Sequence, residues 1–189
     1  MADPTGRMPP WPTEPPRFGS VVLRRVTDAD AAMAVELATD PYVPATGSLP
    51  AGADQDRALA WVRRQIGRHA EGVGFSFCVA DAATDRPLGQ TGLWLRSAAD
   101  RRARVGYALT PSLRGRGIAV DALRAVLAFA WTIAGLERVE ALIEPWNVAS
   151  ILTAERAGFR PEGLLHDHVE IGGTRRDVVG YAAVRTPAG

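Results

Sequence analysis

The sequence predicts an α/β protein in which a single sheet carries helices on its faces. Segments of strand and helix character follow one another in the order β, two helices, three β, α, β, α, two β. Hydrophobic residues make up 47% of the 189 residues, which is enough apolar material for an ordinary core. The length suits one domain with a short extension.

The chain begins with a segment that differs from the rest in composition. Residues 1–18 hold six of the fourteen prolines and little apolar material, so we expect a disordered or extended arm. The domain then spans 19–189. Its first strand is predicted at VVLRRV (21–26), which is rich in β-branched residues.

Two helices are predicted after this strand, with a loop between them. Thr27 and Asp28 are N-cap candidates for a helix over 27–38. Residues 54–70 carry apolar side chains on one broad stripe and arginines elsewhere, which predicts an amphipathic helix. The segment between them, 40–53, is rich in Pro and Gly and is predicted to be a loop.

The middle of the chain predicts three strands and a long helix. Two apolar segments, 75–81 and 87–97, are joined by a turn-like stretch, and a third strand spans 101–110. The helix follows over 121–136, where apolar residues recur at helical spacing and Gly135 lies near its end.

A strand, a helix and a hairpin complete the predicted sheet. Residues 137–146 carry apolar side chains on both faces, as a central strand would. A helix is predicted over 147–159, with Asn147 as a good N-cap. Residues 166–185 predict a closing hairpin that turns at a Gly-Gly pair.

Charge and cysteine content argue against several classes of protein. Lys and Arg number 22 against 21 Asp and Glu, and a net charge of +1 gives no global reason to expect nucleic acid binding. No apolar run approaches the roughly 20 residues of a membrane span, and the N-terminus lacks a signal-peptide pattern. The single cysteine, Cys78, lies in an apolar run, so we expect a buried structural thiol and a cytoplasmic protein.

The segment LRGRGIAV (113–120), called the glycine turn below, lies between a predicted strand and a long helix. The first N–H groups of a helix have no internal acceptor, and the helix dipole adds positive potential there. A diphosphate therefore suits the backbone of Gly115–Ala119, and Arg114 and Arg116 can add charge-assisted hydrogen bonds. The alternative is a tight turn with solvated arginines, since neither the Walker pattern nor GxGxxG is present.

Three motifs in this order resemble the GCN5-related N-acetyltransferase (GNAT) superfamily, and within it the ribosomal-protein N-terminal acetyltransferase (RimJ/RimL-like) branch. Arg114-x-x-Gly117-x-Ala119 fits the Q/R-x-x-G-x-G/A motif that binds the pyrophosphate of acetyl-CoA. PWNVASILTAERAGF (145–159) resembles the N-x-x-S helix of that branch and its GF pair. RRDVVGYA (175–182) resembles the closing strand, and the resemblance covers roughly residues 20–185.

The resemblance implies the GNAT fold, which is a single mixed, mostly antiparallel twisted sheet flanked by helices, with a splayed central strand pair. It also implies acetyl-CoA as the cosubstrate and no metal. Backbone groups at the end of the splayed strand would bond the pantetheine arm like an added strand. The residues that the resemblance assigns to cofactor binding are Ala108, Leu109, Thr110, Arg114, Gly115, Arg116, Gly117, Ile118, Ala119, Asn147 and Ser150.

The resemblance further implies direct attack of an amine on the acetyl carbonyl, with Asn147 and Ser150 at the thioester. Asn147 would contact the cofactor arm or an ordered water. Ser150 lies about one helical turn later and would protonate the departing CoA thiolate. The structural alternatives are a simple N-cap for Asn147 and a hydroxyl bonded to its own backbone for Ser150.

The sequence leaves the general base open among several residues. Arg104 stands where many relatives have glutamate. His168 and Glu170 share the polar side of the closing hairpin and are candidates, although a solvated outer face is the alternative for each. Further candidates are Glu140 and Glu144 on the strand before Asn147.

We therefore expect an N-acetyltransferase that transfers an acetyl group from acetyl-CoA to a primary amine, which is a protein N-terminus, a lysine or a small-molecule amine. The loop 40–53 and the hairpin near Gly172 are expected to shape the acceptor pocket. The arginine-rich segment 96–104 is either a solvated loop or one that attracts an acidic donor or acceptor. The alternatives are a non-catalytic acyl-CoA-binding module and an acyltransferase using succinyl-CoA. No nucleic acid or membrane partner is expected, and a homodimer is left open.

Overall fold

Eight strands form one sheet in the computed structural model, which describes residues 8–95 and 101–186. The first seven residues of the arm, residues 96–100 of the arginine-rich segment and residues 187–189 lie outside the described residues. The strands are β1 (Arg17–Phe18), β2 (Val21–Arg25), β3 (Gly74–Asp81), β4 (Pro87–Leu95), β5 (Arg102–Leu109), β6 (Arg138–Ile143), β7 (Arg160–Ile171) and β8 (Thr174–Val184). The helices are α1 (Ala31–Leu37), α2 (Tyr42–Thr46), α3 (Gln55–Gly67), α4 (Ile118–Ala130) and α5 (Val148–Ala157).

The strands lie across the sheet in the order β1-β2-β3-β4-β5-β6-β8-β7. All neighbours are antiparallel except β5 and β6, which are parallel and joined by a crossover through α4. The predicted single mixed, mostly antiparallel sheet with flanking helices is therefore confirmed. Within the described residues, no helix has the length and hydropathy that a membrane span requires.

The parallel pair separates along its length. Only Arg102–Arg104 of β5 pairs with Arg138–Glu140 of β6, although β5 continues to Leu109 and β6 to Ile143. Each strand stays paired with its other neighbour, β5 with β4 and β6 with β8, over the whole of this distance. The predicted splayed central strand pair is thus present, and it opens towards the C-terminal ends of both strands.

Apolar layers cover both faces of the sheet, and β3 contributes to each of them because successive side chains point to opposite faces. On one face, the rings of Phe75 and Phe77 lie 4.8 and 5.6 Å from that of Phe129 in α4. On the other face, Cys78 and Ala80 pack with residues of α1 and α3. Burial raises the pKa of the Cys78 thiol, which is the buried structural thiol that the sequence predicts.

A short helix, α2, occupies part of the segment that was predicted to be a loop. The carboxylate of Asp40 accepts hydrogen bonds from the N–H groups of Tyr42 at 2.7 Å and Val43 at 3.0 Å. These bonds supply partners for the first turn, so a five-residue helix forms although it contains a proline. The loop prediction was wrong for residues 42–46.

Two further predicted elements differ from the structure. Helix α4 ends at Ala130 rather than at residue 136. The helix gives way to a turn there, because the N–H and hydroxyl groups of Thr132 both donate to the carbonyl of Phe129, at 2.9 and 2.7 Å. Strand β6 does not bury both faces. Its burial alternates along the strand, since one face opens onto a cavity instead of packing under a helix.

The two ends of the sheet differ in what covers them. The described part of the arm runs along the α4 face, where Trp11 lies 4.9 Å from the ring of Phe77 and the carbonyl of Pro9 lies 2.9 Å from Nε2 of His69. At the opposite end, β7 is the outermost strand and is exposed along most of its length. Leu164 on β7 is 46% exposed at this outer edge of the sheet. The homodimer that the sequence leaves open would use an exposed apolar edge of this kind.

Candidate active site

The glycine turn leads from the end of β5 to the start of α4. Pro111–Leu113 forms a single 3-10 turn, and α4 begins at Ile118. Gly115 and Gly117 both have a φ of 78°, a left-handed conformation that other residues adopt only at a cost. A Cβ built on either glycine would meet no atom within 4 Å. The backbone shape therefore requires these glycines, and the space beside them is open to a ligand.

The first N–H groups of α4 have no acceptor within the helix, because a helix leaves them unpaired at its N-terminus. The carbonyl of Gly117 accepts from the N–H groups of Val120 and Asp121, at 3.0 and 3.2 Å. Within the described residues, no backbone carbonyl accepts from the N–H groups of residues 115–119. Unpaired donors and the positive end of the helix dipole converge here, which is the arrangement that binds a pyrophosphate. Arg116 is exposed beside them and adds a positive charge.

Arg114 holds the glycine turn in place through contacts within the protein. Its Nη1 donates to Asp40 at 2.6 Å, and its Nε and Nη2 donate to the carbonyl of Leu109 at 3.3 Å. Ser112 is held in the same way, because its hydroxyl and N–H groups donate to Glu36 at 2.6 and 3.2 Å. These contacts position the turn, and the assignment of Arg114 to cofactor binding stays a prediction.

The gap between β5 and β6 exposes one edge of β5. The N–H of Thr110 donates to the carbonyl of Leu88 at 3.1 Å, which fixes the hydrogen-bonding register of β4 and β5. Alternate residues of an antiparallel strand bond the same neighbour, so Ala108 and Thr110 face β4. The expectation of unpaired backbone groups at both residues was wrong. Leu109 and, one step earlier, Tyr107 are the residues whose backbone groups face the gap.

Asn147 and Ser150 lie at the N-terminus of α5, across the gap from β5. The side-chain oxygen of Asn147 accepts a hydrogen bond from the N–H of Ser150 at 3.1 Å, so Asn147 does act as the N-cap. The hydroxyl of Tyr107 donates to the carbonyl of Ser150 at 3.4 Å and bridges β5 to α5. Both Asn147 and Ser150 line the cavity that opens at the gap.

That cavity, called the acceptor cavity below, has a volume of about 390 Å³. Both segments that were expected to shape an acceptor pocket contribute to its walls: Tyr42 and Ser48 from the segment around α2, and Val169 and Ile171 from the closing hairpin. A larger depression of about 1390 Å³ lies between the arm and the end of α4. It holds none of the predicted site residues, so the smaller cavity is the one that bears on the chemistry.

Glu144 is buried in the acceptor cavity, just beyond the end of β6, where β6 has left β5. It is 4% exposed, and its Oε1 lies 3.9 Å from Nε of Arg176 on β8. Burial and the neighbouring Glu144 carboxylate raise the pKa of Tyr42 to about 12, while Asn147 acts in the opposite direction. Glu144, Tyr42 and Asn147 therefore form one polar cluster at the gap.

The other candidate bases are placed differently. Glu170 lines the acceptor cavity, whereas His168 is exposed on β7 and is not among the lining residues. Glu140 is held in ion pairs with two arginines, at 2.7 and 3.2 Å. Arg104 itself lines the cavity. Of the candidate carboxylates, the structure thus brings Glu144 and Glu170 to the cavity.

One wall of the acceptor cavity, which the sequence did not predict, comes from the end of α3 and from β4. Gln65 and Arg68 lie one helical turn apart and both line the acceptor cavity. The indole of Trp94 lies over two glycines, since a Cβ on Gly92 or Gly106 would stand 2.6 or 2.9 Å from its ring. Gly92 and Gly106 are directly opposite in the register of β4 and β5. Paired glycines in adjacent strands are the signal that was available, because they leave room for a flat ring.

Comparison with known proteins identifies relatives over most of the chain. The profile of the GNAT acetyltransferase domain family matches residues 20–160. The uncharacterized N-acetyltransferase p20 of Bacillus licheniformis is 27% identical over 165 residues, which are 87% of this chain and 93% of that protein.

Solved structures of acetyltransferases share the fold. Mycobacterium smegmatis RimJ in complex with CoA-disulfide has a TM-score of 0.75 and 28% identity, covering 90% of this chain and 85% of that one. The microcin C7 self immunity acetyltransferase MccE, in complex with acetyl-CoA and AMP, also has a TM-score of 0.75, at 17% identity, with coverage of 88% and 93%.

The family match spans every residue that was assigned to cofactor binding, from Ala108 to Ser150. It also spans the splayed strands and the open start of α4, whose geometry suits acetyl-CoA independently of any comparison. The resemblance to the GNAT superfamily and to its RimJ/RimL-like branch is confirmed. The chain belongs to the GNAT acetyltransferase family and is an acyl-CoA-dependent N-acetyltransferase whose cosubstrate is acetyl-CoA.

Proposed function

We propose that the acceptor cavity binds a primary amine and that Glu144 is the general base that deprotonates it. The observation that carries this proposal is the burial of the Glu144 carboxylate in the gap. It is 4% exposed and shares the cavity with Asn147 and Ser150. An amine attacks only when it is neutral, so a carboxylate held beside the thioester has a direct use.

Burial and surroundings favour Glu144 over Glu170. Glu170 is exposed on β7, the outermost strand of the sheet. Glu144 follows a strand that stays paired with β8, and Arg176 lies 3.9 Å away. At that distance the guanidinium balances the negative charge without making a close hydrogen bond. The Tyr42 hydroxyl hydrogen-bonds to the carboxylate, and we assign its remaining lone pairs to the ammonium group of the acceptor.

Ser150 is proposed as the acid that completes the transfer. The reaction forms a bond between the amine nitrogen and the acetyl carbon and breaks the carbon–sulfur bond. Glu144 receives the proton that the amine loses, and the Ser150 hydroxyl donates a proton to the CoA thiolate while solvent returns one to its oxygen. Glu144 then releases its proton to solvent. The N-cap bond from Asn147 and the bridge from Tyr107 keep Ser150 at a fixed place across the gap.

Backbone groups are proposed to bind the remaining parts of acetyl-CoA. We assign the pyrophosphate of acetyl-CoA to the N–H groups of residues 115–119 and the pantetheine arm to the edge of β5 at Tyr107 and Leu109. Support comes from the open space at both glycines and from the strand register. N–H groups on the same edge are placed to stabilise the oxyanion that develops on the acetyl carbonyl.

Replacing Glu144 with glutamine tests the proposed base. We expect Glu144→Gln to lower kcat by about 10²- to 10⁴-fold, because general base catalysis contributes on that scale. Acetyl-CoA affinity, measured by calorimetry, should stay close to that of the wild type.

Glu170→Gln is the matched control, since it makes the same chemical change at the other cavity carboxylate. We expect it to retain most of the turnover and the wild-type pH profile. Wild-type turnover in Glu144→Gln on any amine that the enzyme acetylates would overturn the assignment of the base. A larger loss in Glu170→Gln would transfer the role to that residue.

A further inference from the structure

We propose that the acceptor carries a carboxylate close to its amine, and that Gln65, Arg68 and Arg104 bind this carboxylate in the acceptor cavity. The acceptor class is then a small amino acid with an apolar body, rather than a simple amine. The inference rests on the proposed function, because it assumes that the acceptor occupies this cavity.

Gln65 provides the first observation. It is 3% exposed and lines the cavity. Its Oε1 accepts a hydrogen bond from the hydroxyl of Ser76 at 3.2 Å. Over residues 8–95 and 101–186, Nε2 of Gln65 has no hydrogen-bond acceptor. Buried donors without a partner are rare and costly in folded proteins, so an oxygen atom of a ligand is the partner that this amide lacks.

Arg68 provides the second observation, at the end of α3 and one turn after Gln65. It is half-buried, its guanidinium lies 5.9 Å from the ring of Trp94, and its Nη2 donates to the hydroxyl of Ser48 at 3.3 Å. Across the described part of the chain, it forms no ion pair with a carboxylate. Burial lowers the pKa of Arg68 although the nearby Glu71 carboxylate acts in the opposite direction, so this cation is partly deprived of water. Such a guanidinium binds a carboxylate strongly and in a defined orientation.

Arg104 places a second positive charge on the sheet side of the cavity. It lies directly opposite Trp94 in the register of β4 and β5, and both line the cavity. The positive charge of its guanidinium attracts an acidic acceptor. Between the two cations, the indole of Trp94 offers an apolar surface.

The charges of the cavity suit a zwitterion. The buried carboxylate of Glu144, just beyond the end of β6, attracts an ammonium group, and the cations at the end of α3 and on β5 attract a carboxylate. Trp61 and Trp94 supply apolar wall for the body of the molecule. A cavity of about 390 Å³ lies in the range of roughly 300–1,000 Å³ that is usual for small-molecule sites. A free amino acid meets all of these conditions.

Three probes that differ only in the carboxylate test the inference: phenylalanine, phenylalaninamide and phenethylamine. We expect kcat/KM for phenylalanine to exceed that for the other two by about 100-fold, since a site built to hydrogen-bond a group rejects analogues that lack it. Equal or faster acetylation of the amide would overturn the inference. A fourth probe, phenylalanyl-glutamate amide, offers the carboxylate as part of a peptide, and a preference for it would overturn the assignment to free amino acids.

Two arginines on α3 provide a matched pair of variants. Arg68→Gln should lower the ratio of kcat/KM between phenylalanine and its amide by about tenfold or more. Arg64→Gln makes the same change on the same helix at an exposed residue that does not line the cavity, and it should leave the ratio unchanged. An unchanged ratio in Arg68→Gln, with Arg64→Gln as the reference, would remove Arg68 from the site.

Binding measurements separate this inference from the proposed base. Calorimetry on the wild-type protein with CoA in place of acetyl-CoA compares phenylalanine and phenylalaninamide without turnover. We expect the acid to bind at least tenfold more tightly than the amide. This preference would support the inference even if Glu144→Gln retained activity and thereby refuted the base. Equal affinities would overturn the inference whatever the outcome of the Glu144 experiment.

Discussion

The glycine turn and the acceptor cavity are the proposed sites of the two substrates of one reaction, but they are built from different parts of the polypeptide. The turn offers backbone N–H groups from one short continuous segment, 115–119, and the left-handed Gly115 and Gly117 set its shape. The acceptor cavity is lined by side chains from α2, α3, β4, β5, α5 and the closing hairpin. Binding by backbone N–H groups depends on the conformation of the segment, whereas binding by side chains depends on which residues line the cavity.

This difference explains how one family retains a cofactor while its acceptors vary. Substitutions at Gln65, Arg68 or Trp94 would change the acceptor cavity without moving a single N–H group at the start of α4. The proposed function is thus divided between a backbone segment assigned to acetyl-CoA and cavity side chains assigned to the amine.

The two regions are nevertheless joined by a few contacts. Asp40 caps α2, which forms part of the acceptor cavity, and the same carboxylate pairs with Arg114 of the glycine turn at 2.6 Å. On the other side of the gap, Tyr107 of β5 holds the carbonyl of Ser150. The comparison therefore predicts separable effects from changes within each region and shared effects from changes at the contacts.

The largest effect is expected from Gly117→Glu in the glycine turn. The variant places a side chain and a negative charge in the open space beside the N–H groups of residues 115–119, where the pyrophosphate is assigned. We expect acetyl-CoA affinity, measured by calorimetry, to fall by at least about 100-fold, which corresponds to roughly 2.7 kcal/mol. Circular dichroism should show a retained fold, because a Cβ at this position meets no atom of the protein within 4 Å.

Gly117→Ala separates charge from backbone strain in this test. Alanine at a φ of 78° costs about 1–2 kcal/mol of conformational energy but brings no charge. We expect a lower melting temperature and a much smaller loss of affinity than in Gly117→Glu. Unchanged acetyl-CoA affinity in Gly117→Glu would refute the placement of the pyrophosphate.

A smaller effect, confined to turnover, is expected from Ser150→Ala. If the hydroxyl protonates the CoA thiolate, kcat falls by about 10²-fold while the KM for acetyl-CoA changes little. Thr153→Ala is the control on the same helix, since the Thr153 hydroxyl donates to the carbonyl of Ala149 at 2.8 Å and does not line the cavity. A rise in KM with unchanged kcat would assign Ser150 to binding alone.

Most strands and helices could be predicted from the sequence because the patterns that indicate them are local. Apolar periodicity predicted seven of the strands and four helices, and the resemblance supplied the splay of β5 and β6. The glycine turn was equally accessible, since a glycine pattern before a helix has a direct backbone consequence. Local signals failed at α2, where Asp40 stabilises a short helix that composition alone does not predict.

Much of the acceptor cavity could not be predicted from the sequence because its residues come together only in the folded chain. Nothing near Gln65 in the sequence indicates that Nε2 is buried without an acceptor. Glu140 and Glu144 look equivalent on one strand, yet arginines hold the first and the gap exposes the second to the cavity. Arg114 shows a further limit, because the sequence did not indicate that its guanidinium contacts Asp40.

The smallest expected effect, from Asp40→Asn, tests whether the two regions are coupled. Burial raises the pKa of Asp40, but hydrogen bonds from the N–H of Val43 and from Arg114 outweigh it, so the pKa lies below its ordinary value of 3.8. Asparagine caps a helix about as well as aspartate, so α2 should persist and only the charge towards Arg114 is lost. We expect the free energy of unfolding to fall by less than about 1 kcal/mol at neutral pH.

The pH dependence of that loss identifies its cause. Because the pKa of Asp40 is lower in the folded protein than in the unfolded chain, its contribution is complete well above pH 4 and disappears as the pH falls through the folded value. In urea unfolding, wild type and Asp40→Asn should therefore differ by a constant amount between about pH 5 and 7 and converge below about pH 4.

If the carboxylate couples the two regions, the KM for acetyl-CoA and the KM for the amine both rise in Asp40→Asn. A rise for one substrate alone would show that the glycine turn and the acceptor cavity respond independently, because a shared contact that changes the geometry of both regions must affect both binding steps.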